Sequence, residues 1–148
     1  MAWGFFEQQR RTQFETQKAH AETLTVLARS LELREHYTEG HSERVRAYTL
    51  VLASQLGILD PSTLETFAIG AFLHDIGKIG IPDAILLKEG PLSEGEWEAM
   101  RTHPALGASL IGPIPFLAEA MELVLTHHER FDGKGYPKGC SGEDIPLG

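Results

Sequence analysis

Apolar residues recur at helical spacing along most of the chain, and no stretch of useful length alternates apolar and polar residues as a strand does. Residues 5–35 contain neither proline nor glycine. A weak coiled-coil seam runs through them at spacings of three and four: Phe14, Gln17, Ala21, Leu24, Ala28 and Leu31. The pattern predicts one long N-terminal helix, and its first half, residues 7–20, is too polar to belong to a core.

We therefore assign residues 1–22 to a linker or coiled-coil helix and residues 23–148 to a single all-α domain, a helical bundle. Two interpretations of the N-terminal helix stay open at this point. It either connects the domain to an upstream one or is a frayed or dimerising N-terminal arm.

Local capping signals mark the helices that follow. Thr38 can cap a helix that Gly57 ends, and one stripe of that helix comprises His41, Val45, Tyr48, Leu52 and Leu56. Asp60 followed by Pro61 starts a third helix, which runs into His74 and Asp75 before Gly77 and Gly80 break it.

Further along the chain, Ser93 with Glu96 forms a capping box, and His103 with Pro104 starts another short helix. A last helix places Leu117, Ala120, Met121 and Val124 on one face, which His127 and His128 continue. From Phe131 onward the composition predicts a loop.

Composition limits the possible functions. The 148 residues, 42% of them apolar, suffice for one ordinary domain. The 13 basic and 21 acidic side chains give a net charge of −8, which argues against DNA or RNA as a partner. No apolar run or signal peptide indicates a membrane contact, so we expect a cytoplasmic protein. The single cysteine, Cys140, excludes an intrachain disulfide and a thiolate-rich zinc site.

The histidines indicate a metal site. Six of the seven lie between His36 and His128, and candidate ligand groups occur at intervals that allow separate helices to contribute one each: His41, His74 with Asp75, His103, and His127 with His128. One histidine on an apolar helix face is usually a core residue, but four such groups together favour metal binding. Imidazole and carboxylate ligands suit iron, manganese or zinc. We expect His20 and His36 to face solvent.

Two further segments remain ambiguous from the residues alone. Lys78 follows the His-Asp pair by one helical turn, so it either faces an anion held by the metals or is a solvated lysine at a helix end. Residues 132–135 are typical of a turn with glycines at positions of positive φ. Tyr136 and Pro137 then either belong to that turn or pack over the site.

The motifs resemble those of HD-GYP domains, a branch of the HD phosphohydrolase superfamily that hydrolyses the bacterial second messenger cyclic di-GMP. The resemblance spans residues 23–148. It rests on the block from Tyr37 to Val45, the block from His74 to Asp83, the pair His103 and Pro104, and residues 127–137, which end in Gly135, Tyr136 and Pro137. The His-His-Glu and Gly-Tyr-Pro block distinguishes this branch from other phosphohydrolases.

This resemblance implies a ligand set for two divalent ions, iron or manganese, bridged by Asp75: His41, His74, Asp75, His103, His127 and His128. It implies that Lys78 contacts the scissile phosphate and that Gly135, Tyr136 and Pro137 form a loop at the substrate site. Some members bind a third ion through a glutamate at the position of Tyr37, so we expect two ions here. A hydroxide bridging the ions would attack the phosphodiester, giving linear diguanylate and then GMP.

The family pattern continues into a further helix with one more metal-binding aspartate and substrate-binding basic residues, whereas this sequence stops at Gly148. We therefore expect a C-terminally truncated domain with an incomplete ligand set, weak or absent activity, and exposed apolar faces that promote a homo-oligomer. Two alternatives remain: hydrolysis of another nucleotide, and a non-catalytic signalling module that binds a GGDEF-type domain through the Tyr136 loop.

Overall fold

The computed structural model describes residues 2–35 and 40–148, with the side chains of all of these except residues 2–5, 17, 21 and 24. The described residues contain helices and loops and no strand, so the predicted all-α class is confirmed. The α-helices are Ala2–Glu35 (α1), His41–Gln55 (α2), Pro61–Leu73 (α3), Asp83–Leu86 (α4), Glu94–Met100 (α5), His103–Ile111 (α6) and Met121–Thr126 (α7). Shorter 3₁₀ segments are Ile76–Gly80, Ala118–Ala120 and Gly142–Asp144.

The capping signals place several helix starts correctly. The Asp60 side chain accepts a hydrogen bond from the N–H of Thr63 at 2.9 Å, and α3 begins at the next residue, Pro61. Ser93 and Glu96 form both halves of the predicted capping box at the start of α5. These predictions are confirmed because each depends on residues within one helical turn. No described helix is both long enough and apolar enough to pass through a membrane.

The start of α2 depends on α1 instead of a local cap. The predicted cap, Thr38, lies outside the described residues. The two carboxylate oxygens of Glu32 accept hydrogen bonds from the N–H groups of Gly40, at 2.9 Å, and Ser42, at 2.8 Å. Burial raises the pKa of Glu32, but these bonds outweigh it and hold the pKa below its ordinary value. The end of α1 therefore fixes where α2 begins, and with it the position of His41.

The core lies where α3, α6 and α7 meet the 3₁₀ segment Ile76–Gly80. Its buried apolar side chains are Leu73, Ile76, Ile111, Leu117 and Val124. Helix α2 packs on α3 at the edge of this group. Every element of the core therefore ends or begins beside one of the candidate ligands.

Residues 6–16, 18 and 19 of α1 are exposed, as predicted for its polar first half, while Ala28 and Leu31 near its end are buried. The expectation that His20 faces solvent is only partly right, since its side chain is half-buried. Its ring stacks on Phe116 with centroids 3.7 Å apart and an interplanar angle of 3°, because an imidazole face can pack on an aromatic ring while its edge stays polar. His36 lies outside the described residues.

The C-terminal part of the apolar stripe of α2 does not pack against the described part of the domain, whereas Val45 in its first part is half-buried. Tyr48, Leu52 and Leu56 on this helix are exposed, as are Val51 and Leu59 beside them. Such a contiguous apolar surface is uncommon on a monomeric protein.

Candidate metal centre

All of the predicted ligands lie at the ends of helices that meet at one place. His41 and His103 are the first residues of α2 and α6, His74 and Asp75 follow α3, and His127 and His128 follow α7. Their ligand atoms form two groups that share one carboxylate, each group with its atoms within 4.8 Å: Asp75, His103, His127 and His128 in one, and His41, His74 and Asp75 in the other.

Asp75 occupies the centre of this arrangement. Its Oδ1 is 3.3 Å from Nε2 of His103 and 3.7 Å from Nε2 of His127, and its Oδ2 is 3.2 Å from Nε2 of His74. Burial raises the pKa of Asp75, but the three neighbouring imidazoles outweigh burial and hold the pKa far below its usual range. The carboxylate is thus ionised and has both oxygens directed at different histidines, as a bridging ligand requires.

Three histidines are oriented in the same way by the backbone. Nδ1 of His74, His103 and His127 lies 2.7 to 2.8 Å from the carbonyl oxygen three residues earlier, on Ala71, Met100 and Val124 respectively. Because a carbonyl only accepts, each Nδ1 carries the proton and donates it. In the neutral ring, Nε2 then presents its lone pair to the centre, which is the tautomer that metal-binding histidines adopt.

The donor set fits a cation. Nε2 of His103 and Nε2 of His127 are only 3.2 Å apart, and two lone pairs at that distance repel each other unless a proton or a metal ion lies near both. Burial, followed by the neighbouring imidazoles of His127 and His103, lowers the pKa of His128 to about 4. Its ring is therefore neutral at physiological pH and available as a ligand.

Lys78 points into the centre and is not a solvated residue. Its Nζ is 2.9 Å from Oδ2 of Asp75 and 3.3 Å from Oε1 of Glu35. Burial lowers the pKa of Lys78, but the two carboxylates outweigh it and raise the pKa above its ordinary value, so the ammonium stays charged. Lys78 is thus partly buried beside the candidate ligands, and its contact with a substrate anion stays a prediction.

The sequence did not identify the role of Arg34 and Glu35 at the end of α1. The Arg34 guanidinium donates hydrogen bonds to the carbonyl oxygens of Lys78, Ile79 and Ile81, at 3.1, 2.9 and 2.5 Å, and also binds the Asp83 carboxylate. These bonds hold the segment that carries Lys78. In the sequence, both residues resemble the ordinary charged end of an amphipathic helix, and no motif marks them.

The Gly-Tyr-Pro loop lies against the same centre. The Tyr136 ring stacks on His128 with centroids 4.7 Å apart and an interplanar angle of 22°. Glu129 holds the loop by accepting hydrogen bonds from the N–H groups of Lys138, at 2.6 Å, and Gly139, at 3.1 Å. Pro137 is exposed at the outer side of the loop. The loop thus supports His128 directly.

The prediction of positive φ at both glycines of this turn is only half right. Gly133 has φ of 72°, but Gly135 is not among the glycines with positive φ. A Cβ on Gly135 would lie 2.4 Å from backbone atoms of Glu129 and Arg130. Glycine is required at position 135 because two backbone segments approach closely there.

Comparison with known proteins gives a consistent result. The sequence profile of the HD domain matches residues 25–148. A cyclic di-GMP phosphodiesterase of Vibrio cholerae is 39% identical over 92% of this chain and 30% of its own length. A cyclic di-GMP phosphodiesterase response regulator of Xanthomonas campestris is 42% identical over 90% of this chain and 35% of its own length.

A third relative, also from Vibrio cholerae, is a 3′3′-cGAMP-specific phosphodiesterase that is 39% identical over 84% of this chain and 27% of its own length. The chain therefore spans about a third of the length of these curated relatives.

Proposed function

The chain belongs to the HD-domain family, and on that premise we propose that it is the catalytic domain of a metal-dependent phosphodiesterase that hydrolyses cyclic di-GMP to linear diguanylate and then GMP. The observation that carries the proposal is the convergence of three Nε2 atoms, from His74, His103 and His127, on the ionised carboxylate of Asp75. The substrate is supported by the names of the relatives at 39% and 42% identity.

We propose that two divalent ions, iron or manganese, bind this centre. One would be held by Asp75, His103, His127 and His128, and the other by His41, His74 and Asp75. When bound, such ions activate water as a nucleophile and neutralise charge on the phosphodiester. Nitrogen and oxygen donors without a thiolate are consistent with iron or manganese.

The residues of the chain orient the ions and the substrate. The backbone carbonyls of Ala71, Met100 and Val124 fix three imidazoles before any ligand arrives, which lowers the reorganisation needed on binding. The Lys78 ammonium, kept charged beside Asp75 and Glu35, donates to the non-bridging oxygens of the scissile phosphate and stabilises the charge that develops on them. Tyr136 limits the movement of His128 by stacking on it.

Residues 1–22 would act as the linker helix and residues 23–148 as the catalytic domain. A non-catalytic role in binding a GGDEF-type domain through the Tyr136 loop is less well supported. The Tyr136 ring is partly buried on His128 and so offers little free surface to a partner. Because one matched relative is specific for 3′3′-cGAMP, that dinucleotide is the competing substrate to compare.

The test is hydrolysis by the full-length protein, prepared anaerobically and loaded with Mn²⁺ or Fe²⁺, because weak or absent activity is expected of a truncated domain. We expect turnover of cyclic di-GMP to exceed that of 3′3′-cGAMP and of nucleoside triphosphates, and metal analysis to give two ions per chain. Asp75→Asn should remove most of the metal and lower turnover by at least about 100-fold. Asp132→Asn is the control, since that carboxylate lies on the surface and pairs with Arg130. Metal-free wild-type protein, or turnover unchanged in Asp75→Asn, would refute the proposal.

A further inference from the structure

A cation outside the predicted site lies beside the Gly-Tyr-Pro loop. Arg101 directly follows α5, and its side chain is exposed. Its guanidinium carbon is 5.9 Å from the ring centroid of Trp97 and 5.8 Å from that of Tyr136. Arg101 thus contacts the aromatic ring that itself stacks on the candidate ligand His128.

The charge of Arg101 is not neutralised by an acidic neighbour. Within residues 2–35 and 40–148, no carboxylate forms an ion pair with it, whereas Arg34 and Arg130 pair with Asp83 and Asp132. In a chain of net charge −8, an exposed guanidinium held by two aromatic rings and lacking a carboxylate partner is available to an anion from solution.

Arg101 and Lys78 approach the site from different elements. The Arg101 guanidinium carbon is 5.8 Å from the ring centroid of Tyr136, which stacks on His128. Nζ of Lys78 is 2.9 Å from Oδ2 of Asp75, a residue of the same candidate ligand group as His128. Lys78 comes from the 3₁₀ segment after α3 and Arg101 from the end of α5, so two separated positive groups border one site.

We propose that Arg101, held between Trp97 and Tyr136, forms a second phosphate subsite that binds the phosphodiester not being cleaved. The inference rests on the proposed function, since a cyclic dinucleotide carries two phosphodiesters on opposite sides of one ring. With one phosphate at the metal centre and Lys78, the proposal places the other beside Arg101. A planar guanidinium can bind two of its oxygens at once.

A purely structural role for Arg101 predicts a different outcome. If its guanidinium only packed between the rings, its loss would loosen Tyr136 and His128 and so impair every substrate alike. A phosphate subsite affects only substrates that carry a second phosphate. The comparison therefore needs two substrates with the same bases and different numbers of phosphates.

The experiment compares cyclic di-GMP with guanylyl-(3′→5′)-guanosine, which has one phosphodiester, as substrates of the metal-loaded full-length protein. For Arg101→Gln we expect KM for cyclic di-GMP to rise by about 10- to 100-fold, as for loss of a hydrogen bond to a charged group, with kcat changed less than about twofold. Values of kcat/KM for the linear dinucleotide should stay within about twofold. Arg101→Lys should recover part of the loss, and Arg11→Gln, at an exposed arginine of α1, is the matched control.

An unchanged KM for cyclic di-GMP in Arg101→Gln overturns the subsite while leaving the proposed function intact. Equal losses on both substrates also overturn it, in favour of the structural role. Wild-type protein that cleaves the linear dinucleotide but not cyclic di-GMP, or that cleaves neither, refutes the proposed function, and the subsite with it. The proposed function is tested with the wild-type protein alone and the subsite with the Arg101 variants, so failure of one can be distinguished from failure of the other. Circular dichroism of both variants verifies that they fold.

Discussion

The Lys78 ammonium and the Glu35 carboxylate form a largely buried ion pair between the 3₁₀ segment and the end of α1, with Nζ 3.3 Å from Oε1. The two side chains are 20% and 9% exposed. Oε1 of Glu35 is buried and has no hydrogen-bond partner in the described structure. The positive charge of Lys78 therefore offsets the free-energy cost of removing this oxygen from water.

Lys78→Met should consequently destabilise the metal-free protein by about 3–5 kcal/mol, because it leaves a buried charge unpaired. Adding Glu35→Gln should recover part of this loss, and urea denaturation of the four proteins of the cycle measures the coupling. Lys18→Met is the control, since Lys18 pairs with Glu22 on the exposed surface of α1 and its loss should cost less than about 1 kcal/mol. If the effects of Lys78→Met and Glu35→Gln on the free energy of unfolding were additive, the two side chains would not be coupled and the prediction would be wrong.

Gly77 lies where the 3₁₀ segment touches α6. A Cβ at this position would be 1.8 Å from the carbonyl oxygen of His103 and 2.4 Å from the backbone nitrogen of Gly107. Backbone atoms cannot move aside as a flexible side chain can, so Gly77→Ala should destabilise the fold by at least about 3 kcal/mol. Because the same contact positions His103, metal content should fall as well. Thermal denaturation and metal analysis measure the two effects.

Gly95 in α5 gives the matched control for that substitution. A Cβ there meets nothing within 4 Å, and α5 is helical at this residue. Gly95→Ala should therefore stabilise the protein by about 0.5–1 kcal/mol. If both alanine variants had the same stability, the steric argument at Gly77 would be wrong.

Glu96 gives a prediction about pH. The Lys88 ammonium, followed by the N–H of Ser93, lowers the pKa of Glu96 to about 2 from its ordinary value of 4.5. Because the pKa is lower in the folded state, Glu96 stabilises the fold fully above pH 4.5, and the contribution is lost as the pH falls toward 2. Glu96→Gln should lower Tm at pH 7, and the difference from wild type should shrink across this interval. Glu98→Gln on the same helix is the control, and a difference in Tm independent of pH would exclude the linkage.

The exposed stripe of α2 leads to a prediction about assembly. Tyr48, Leu52 and Leu56 expose a contiguous apolar surface, so self-association of this chain would remove that surface from water. We expect light scattering to give a mass above that of a 16.4 kDa monomer and Leu52→Glu to lower it. Leu33→Glu, at an exposed leucine of α1, is the control. A monodisperse monomer at high concentration would refute the prediction.

Sequence reasoning succeeded where the determining residues are close in the chain. The helix starts at Asp60 and Ser93 follow from caps within one turn, and the helical class follows from the spacing of apolar residues. The six candidate ligands were chosen from residue type and motif, and the structure brings their ligand atoms together. Their role as ligands stays a prediction.

Sequence reasoning failed where a contact with a distant segment of the chain determines the local structure. Glu32 caps α2 from another helix, and Phe116 partly covers His20 from a loop far along the chain. No local pattern reveals either contact. Arg101 gave one usable signal, its spacing of four from Trp97 on a helix, which places the two side chains on one face. Its proximity to Tyr136 depends on how the loop folds back, and the sequence does not determine that.

The contacts of Glu32, Arg34 and Glu35 have a mechanical consequence. All three lie in the last turn of α1, a helix of 34 residues that is about 50 Å long at 1.5 Å per residue. Through them the helix holds both the start of α2 and the backbone around Lys78. A rotation of α1 about its own axis would therefore move the backbone on two sides of the candidate metal centre at once.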